Sequence, residues 1–538
     1  MSTAAARSET NLDSQANGSV AASIGRNTFY GFLSQFVQMA TRLITVPIVI
    51  SHLGIGGYGI WNVVMMTATY MRFGSVGLKH AYQKYVAEAT ANGNYEQAAR
   101  LLSTGSAVML VLSVTVLIPT LVLSRSIAAK VGIPPEFLTS SAGAISLLAL
   151  IMVMSNVGAA FEAIVMGGHR IDLVRKFGTC LSVAEAVSIV IVLRLGLGLF
   201  AMAAVMGTSE LIYIIACYIL AHKVVPQIRL GMRWVTKSVL YELFRFAGSY
   251  QLVNLLEVLY VSIVPFSILK FFGADSAGVY AVVTRVVTSA TVLLDAFLPP
   301  ILSGGTLVYV SGSVERMQRL LTKAFKVTLG LALFPLGFIA VFGPTLAFAW
   351  TGATDPRFRV AFWLVCLTGL FRGFSLLALV LYRVSGKALM DNVRQVIRIA
   401  VILATALFAA KIGFQGVLAG LAVAEFVGMI FMIFALTHTF ESFNVRMLVP
   451  DALRLLGGSA LIFIAGVLAS YAPIPAGLSE RTYATVKLTE IVIGCTLMAW
   501  PALRGTGSVT ALEWHALLSA VVPSHGRRAV SPAEGGGV

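Results

Sequence analysis

The sequence predicts an all-α, polytopic membrane protein: about 14 transmembrane helices, in two six-helix bundles related by an internal repeat, plus two C-terminal helices. Three observations carry this. Of 538 residues, 58% are hydrophobic and only 12% are charged, where a soluble chain carries roughly 25% charged residues. Apolar runs long enough to cross the ~30 Å hydrocarbon layer recur from one end of the chain to the other. The chain also matches itself, without a gap, when slid by 219 residues.

In chain order, residues 1–25 are polar and Ser/Ala-rich without an apolar core, so they read as a disordered cytoplasmic tail and not as a signal peptide. The spans follow at 27–51, 58–77, 104–124, 140–165, 177–196 and 199–221, which make a first bundle over 26–222. A cytoplasmic linker at 223–244 leads to 246–269, 277–298, 326–349, 359–382, 394–411 and 414–437, the second bundle over 245–439. Two additional spans, 452–472 and 484–502, fall within 440–503. Residues 504–538 read as a cytoplasmic tail with one short amphipathic helix near 509–521.

An even number of spans makes the loops alternate, so basic residues orient the whole. With the N-terminus inside, roughly two thirds of the 39 Lys and Arg fall on the inner side. The segments KHAYQK (79–84), HRIDLVRK (169–176), RLGMRWVTK (229–237) and ERMQRLLTKAFK (315–326) are examples on the inner side. Both termini are therefore expected in the cytoplasm. The +16 net charge is topological, with some attraction to anionic membrane lipid; it does not indicate nucleic acid. The outer connections are short, which leaves no room for a catalytic loop on that side.

The repeat at 219 residues aligns Arg26 with Arg245, Gln35 with Asn254 and Gln38 with Glu257. It aligns Gly54 with Gly273, Gly59 with Gly278 and Thr69 with Thr288, and GNYEQAARLLS (93–103) with GSVERMQRLLT (312–322). One offset thus links a loop, two spans and a basic cytoplasmic segment. Six spans per copy give both copies the same orientation, with an axis along the membrane normal. Paired bundles of this kind place a substrate in the cleft between them and expose it to each side in turn, so the repeat points to a transporter.

The first span carries Gln35, Gln38, Arg42 and Thr45 at helical spacing, one polar stripe. Its partner span carries Tyr250, Asn254 and Glu257. The second span carries Asn62, Thr69 and Arg72, and its partner carries Arg285, Thr288 and Asp295; Arg372 lies within the tenth span. An arginine at the bilayer centre costs roughly 2.5–3.5 kcal/mol, so four cost on the order of 10–14 kcal/mol unless they line a hydrated cavity or meet acids. Glu162, Glu185, Glu210, Glu257, Asp295, Glu425 and Glu490 lie at similar depth. Salt bridging is the bland reading of these arginines. The functional one is that Arg42, Arg72, Arg285 and Arg372 surround an anion, since the guanidinium fork suits phosphate and stays charged. Gln35, Gln38, Asn254, Glu257 and Asp295 are then expected to line the cavity, with the acids open to proton or cation coupling. Glu425 and Glu490 read as packing partners.

Cys180, Cys217, Cys366 and Cys495 lie singly in apolar spans without a CxxC, and read as small buried hydrophobes. The seven histidines are scattered; neither a metal site nor a cofactor motif is expected. GVLAG (416–420) fits close helix packing through small residues.

RNTFYGFLSQFVQ, HLGIGGYGIW, MRFGSVGLKHAYQKYVAE and GNYEQAARLL, in this order and spacing, resemble the polysaccharide transporter branch of the multidrug/oligosaccharidyl-lipid/polysaccharide exporter superfamily, the O-antigen and exopolysaccharide repeat-unit flippases. The resemblance runs from about Arg26 to Thr439. It implies a V-shaped pair of bundles in a bacterial inner membrane that moves an undecaprenyl-pyrophosphate-linked oligosaccharide, a polyprenyl diphosphate lipid, between leaflets. It also implies a pyrophosphate-binding role for Arg42, Arg72 and Arg285, whose helices match those bearing cavity arginines in the similar lipid II flippases. Arg372 rests on its depth alone. A polysaccharide polymerase or export complex is a plausible partner.

Three rivals remain. A cation-coupled multidrug extrusion antiporter of the same superfamily would be expected to carry an acid where Arg42 stands. A membrane glycan polymerase or ligase would need a larger outer loop. A scaffold without transport of its own is compatible with the sequence.

Overall fold

The computed structural model describes residues 2–69, 75–310, 314–384, 389–439, 448–474 and 477–508. They form thirteen α-helices: α1 (Ser2–Thr69), α2 (Ser75–Asn92), α3 (Tyr95–Val131), α4 (Pro135–Gly167), α5 (Ile171–Arg194), α6 (Gly198–Val224), α7 (Lys237–Val310), α8 (Val314–Thr351), α9 (Arg357–Val384), α10 (Leu389–Leu407), α11 (Ala409–Thr439), α12 (Val449–Ala469) and α13 (Glu480–Gly505). Eleven are long and apolar enough to cross a membrane, so the chain is a multi-pass membrane protein. Two of these, α1 and α7, each hold two spans joined through one non-helical glycine. α2 is the short basic segment and no span. α10 is less apolar than these eleven, because Asp391, Arg394 and Arg398 fall within it.

The breaks in α1 and α7 give the repeat a physical form. Gly54 has φ 72° and ψ 170°, and Gly273 has φ 81° and ψ 179°. These are repeat-equivalent positions with nearly identical backbone, in a region that L side chains rarely enter. Each breaks its helix in two without a loop.

Five residues on, the copies touch. A Cβ added to Gly59 would stand 2.4 Å from the Gly278 nitrogen, and one added to Gly278 would stand 2.0 Å from the Ile55 carbonyl oxygen. Both obstacles are backbone, which cannot swing aside. Gly278→Val is therefore expected to force α1 from α7, at a cost of about 1–3 kcal/mol or more, read as a lower melting temperature in detergent. Gly330→Ala is the control, because its nearest obstacle is the edge of the Phe334 ring at 3.6 Å. Equal melting of the two variants would show that the seam does not depend on this approach.

The main buried cluster runs through both halves at this seam. It joins Val46, Ile60 and Val64 of α1 to Ile268, Val279 and Val283 of α7 and to Phe358 and Phe362 of α9. A second cluster, with Tyr82, Val86, Leu102, Ile164 and Val174, belongs to the first bundle. There the linker folds back over α3: the Gly231 amide donates to Ser103 Oγ at 3.1 Å, and the Thr236 amide to Thr104 Oγ1 at 3.1 Å. A third cluster seats α12 and α13 on α8, through Leu329, Leu333, Leu455, Ile462 and Leu503.

The backbone of 2–25 is helical, continuous with α1. One expectation is corrected. Cys180 is exposed, unlike buried Cys217 and Cys366, because its side of α5 is not covered. The helix expected near 509–521 lies outside the described residues. Gly420 does serve close packing: Thr405 of α10 sits where its Cβ would be.

Candidate functional site

Arg285 and Arg372 face one cavity of about 240 Å³. Arg285 comes from the second span of α7 and Arg372 from the middle of α9. Tyr260, Tyr280, Thr284, Thr288 and Glu425 line it too, and Asn62 and Met66 of α1 close one side. Because α1 belongs to the other bundle, the cavity lies where the halves meet. Among the described residues neither arginine makes an ion pair. Two guanidinium groups sharing one small membrane cavity repel each other, and an anion between them would relieve that repulsion.

The acid in the cavity wall is already committed. Glu425 Oε1 accepts from Tyr260 Oη at 3.0 Å and from the Arg398 guanidinium. Arg398 and Glu425 are each 1% exposed. Arg398 Nη1 also donates to Gln395 Oε1 at 2.6 Å and lies 3.5 Å from Glu257 Oε2, while Gln395 Nε2 donates to the same Glu257 oxygen at 2.5 Å. The Arg398 guanidinium lies over the Tyr260 ring, 3.7 Å from its centroid. One turn back, Arg394 pairs with Asp391 at 2.8 Å. Thus α7, α10 and α11 are cross-linked by a buried ionic network on one wall of the arginine cavity.

Sequence reasoning missed this network. Arg394 and Arg398 begin the expected span 394–411 and are not among the four arginines singled out there. The available signal was periodicity: Asp391, Arg394, Gln395 and Arg398 recur at helical spacing on one face. Glu425 does have the packing role expected of it, and Glu490 pairs with Lys487 at 3.3 Å. Glu257, expected on a cavity stripe, is held by Gln395 and Arg398.

Arg42 lies elsewhere. With Gln38, Thr41 and Thr45 it lines a cavity of about 330 Å³ inside the first bundle, together with Arg175, Tyr213 and three carboxylates. These are Glu162 of α4, Glu185 of α5 and Glu210 of α6. Ser155 Oγ donates to Glu210 Oε1 at 2.5 Å, and Gln38 Nε2 to Ser34 Oγ at 3.0 Å. Gln35 is exposed on α1 outside the lining of this cavity. The structure therefore separates Arg42 from Arg285 and Arg372, and surrounds it with acids. Arg72 lies outside the described residues, as do the side chains of Asn254 and Asp295. Among the described residues no group of His, Cys, Asp and Glu is arranged to hold a metal.

No protein-family model and no curated protein matches the chain. Solved structures do. The lipid II flippase MurJ in an inward closed conformation superposes with a TM-score of 0.65 at 11% identity, over 89% of this chain and 99% of that one. An inward-facing multidrug resistance MATE transporter of the MOP superfamily gives 0.64 at 17% identity, over 75% and 95%. A MOP superfamily transporter from Pyrococcus furiosus, described by its reversed pocket polarity, gives 0.57 at 16% identity, over 78% and 96%. The chain shares the fold of these solved structures.

Proposed function

We propose that the chain is a flippase that carries an undecaprenyl-pyrophosphate-linked oligosaccharide across a bacterial inner membrane by alternating access, for exopolysaccharide, capsule or O-antigen synthesis. The observation that carries this reading is the pair Arg285 and Arg372, facing one cavity between the halves with no ion pair among the described residues. A diphosphate would neutralise both. Its polyprenyl tail stays in lipid while the head group crosses. Arg42 and Arg72 join this role by resemblance, with Arg42 taking a polar sugar in the first cavity. With both termini in the cytoplasm, the seam at Gly59 and Gly278 closes the outer side, and the cleft opens inward. The likeness to the inward-facing transporter supports that state.

A second reading has its own observation. Glu162, Glu185 and Glu210 around one cavity suit a cation, as a cation-coupled drug antiporter would need. A leaflet assay separates the two. In a strain lacking the gene, the lipid-linked oligosaccharide should accumulate on the inner leaflet, where a periplasmic glycan-modifying enzyme cannot reach it, and the intact gene should restore access. Full access in the deletion strain, with drug sensitivity instead, would hand the function to the second reading.

A further inference from the structure

Pro47 lies inside α1 and has no N–H, so the carbonyl four residues earlier, that of Leu43, loses its helical partner. The structure fills the vacancy from the other bundle: Trp350 Nε1, at the end of α8, donates to Leu43 O at 2.9 Å. The Trp350 side chain packs on the core shared by both halves. Its own carbonyl, one of the last four of α8 and so without a helical donor, accepts from Arg481 Nη2 of α13 at 2.5 Å. Arg481 Nε donates to the neighbouring Ala349 carbonyl at 3.0 Å. A chain of contacts thus runs from the C-terminal helix pair, through the end of α8, into the carbonyl beside Arg42.

We propose that Trp350 is a latch across the seam, made possible by Pro47 and set by Arg481, that holds the bundles closed at the Gly54 end. Alternating access requires this end to open, and the bond must then break. An unsatisfied carbonyl and a lost indole bond together favour separation, so removing the N–H should raise the ratio of separated to closed molecules by about fivefold. The two contacts of Arg481 make α12 and α13 part of the gate and more than an appendage.

The test reads conformation and not transport, so it stands apart from the identity of the substrate. Spin labels at Ser51→Cys and Thr354→Cys, both exposed, in a Cys180→Ser chain in lipid nanodiscs, report the distance across the seam by pulsed electron resonance. Trp350→Phe keeps most of the ring and loses the donor; it should add a longer-distance population. Pro47→Ala supplies a helical N–H to Leu43, so Trp350→Phe in that background should add little. Arg481→Gln should shift the wild-type distribution the same way, by less. An unchanged distribution in Trp350→Phe, or an equal shift with and without Pro47→Ala, would overturn the latch. No shift in Arg481→Gln would overturn the part given to the C-terminal pair. Elution of Trp350→Phe at the wild-type volume confirms that the distances come from folded protein.

Discussion

Arg285→Ala is expected to cut translocation of the proposed lipid-linked substrate by roughly 10- to 100-fold while leaving the protein folded. The magnitude follows from the loss of one or two charge-assisted bonds to an anion in a site of low dielectric. Folding should survive because Arg285 has no ion-pair partner among the described residues, so no acid is stranded by its removal. Arg285→Lys should fall between, since it keeps the charge and loses the planar fork. Adding Arg372→Ala should abolish what remains, because the two face one cavity. The measurement is the rate at which outer-leaflet oligosaccharide appears in vesicles, normalised to protein level. Wild-type rates in the double variant would remove this cavity from the translocation path.

How much of this was legible in the sequence depends on which property was read. The repeat was fully legible. Gly54 and Gly273 align at one offset, and their shared backbone geometry is the reason. Depth along an apolar span is read from the sequence alone, and it singles out Arg42, Arg285 and Arg372. What depth does not give is the neighbour. Arg42 and Arg285 look alike as single polar residues on apolar spans. Only the folded chain shows that α4, α5 and α6 bring three glutamates around the first and that α9 brings a second arginine to the other. Ion pairs that join α7 to α10 and α11 span 27 to 141 residues of sequence, with nothing local to mark them. The bond from Trp350 to Leu43 is hidden in the same way, although Pro47 announces that some carbonyl nearby needs a donor.

Arg398→Met is expected to do the opposite of Arg285→Ala: it should unfold the second bundle rather than slow it. Arg398 is the one cation within 4 Å of Glu425 and one of the bonds to Glu257 among the described residues. Its loss leaves Glu425, 1% exposed, with only the Tyr260 hydroxyl. Breaking a buried pair from one side costs about 3–5 kcal/mol, far more than the pair contributes net against an apolar replacement. That asymmetry gives the decisive comparison. Arg398→Met with Glu425→Gln removes both charges, so the double variant should melt well above the single one in detergent, by a coupling of about 1–3 kcal/mol. Glu257 retains Gln395 in either case and is common to both. If Arg398→Met melts like the wild type, the network does not hold the bundle. If the single variant is unstable and the double recovers, α7, α10 and α11 form a rigid frame, and Arg285 and Arg372 are the mobile charges on its surface that a diphosphate can claim.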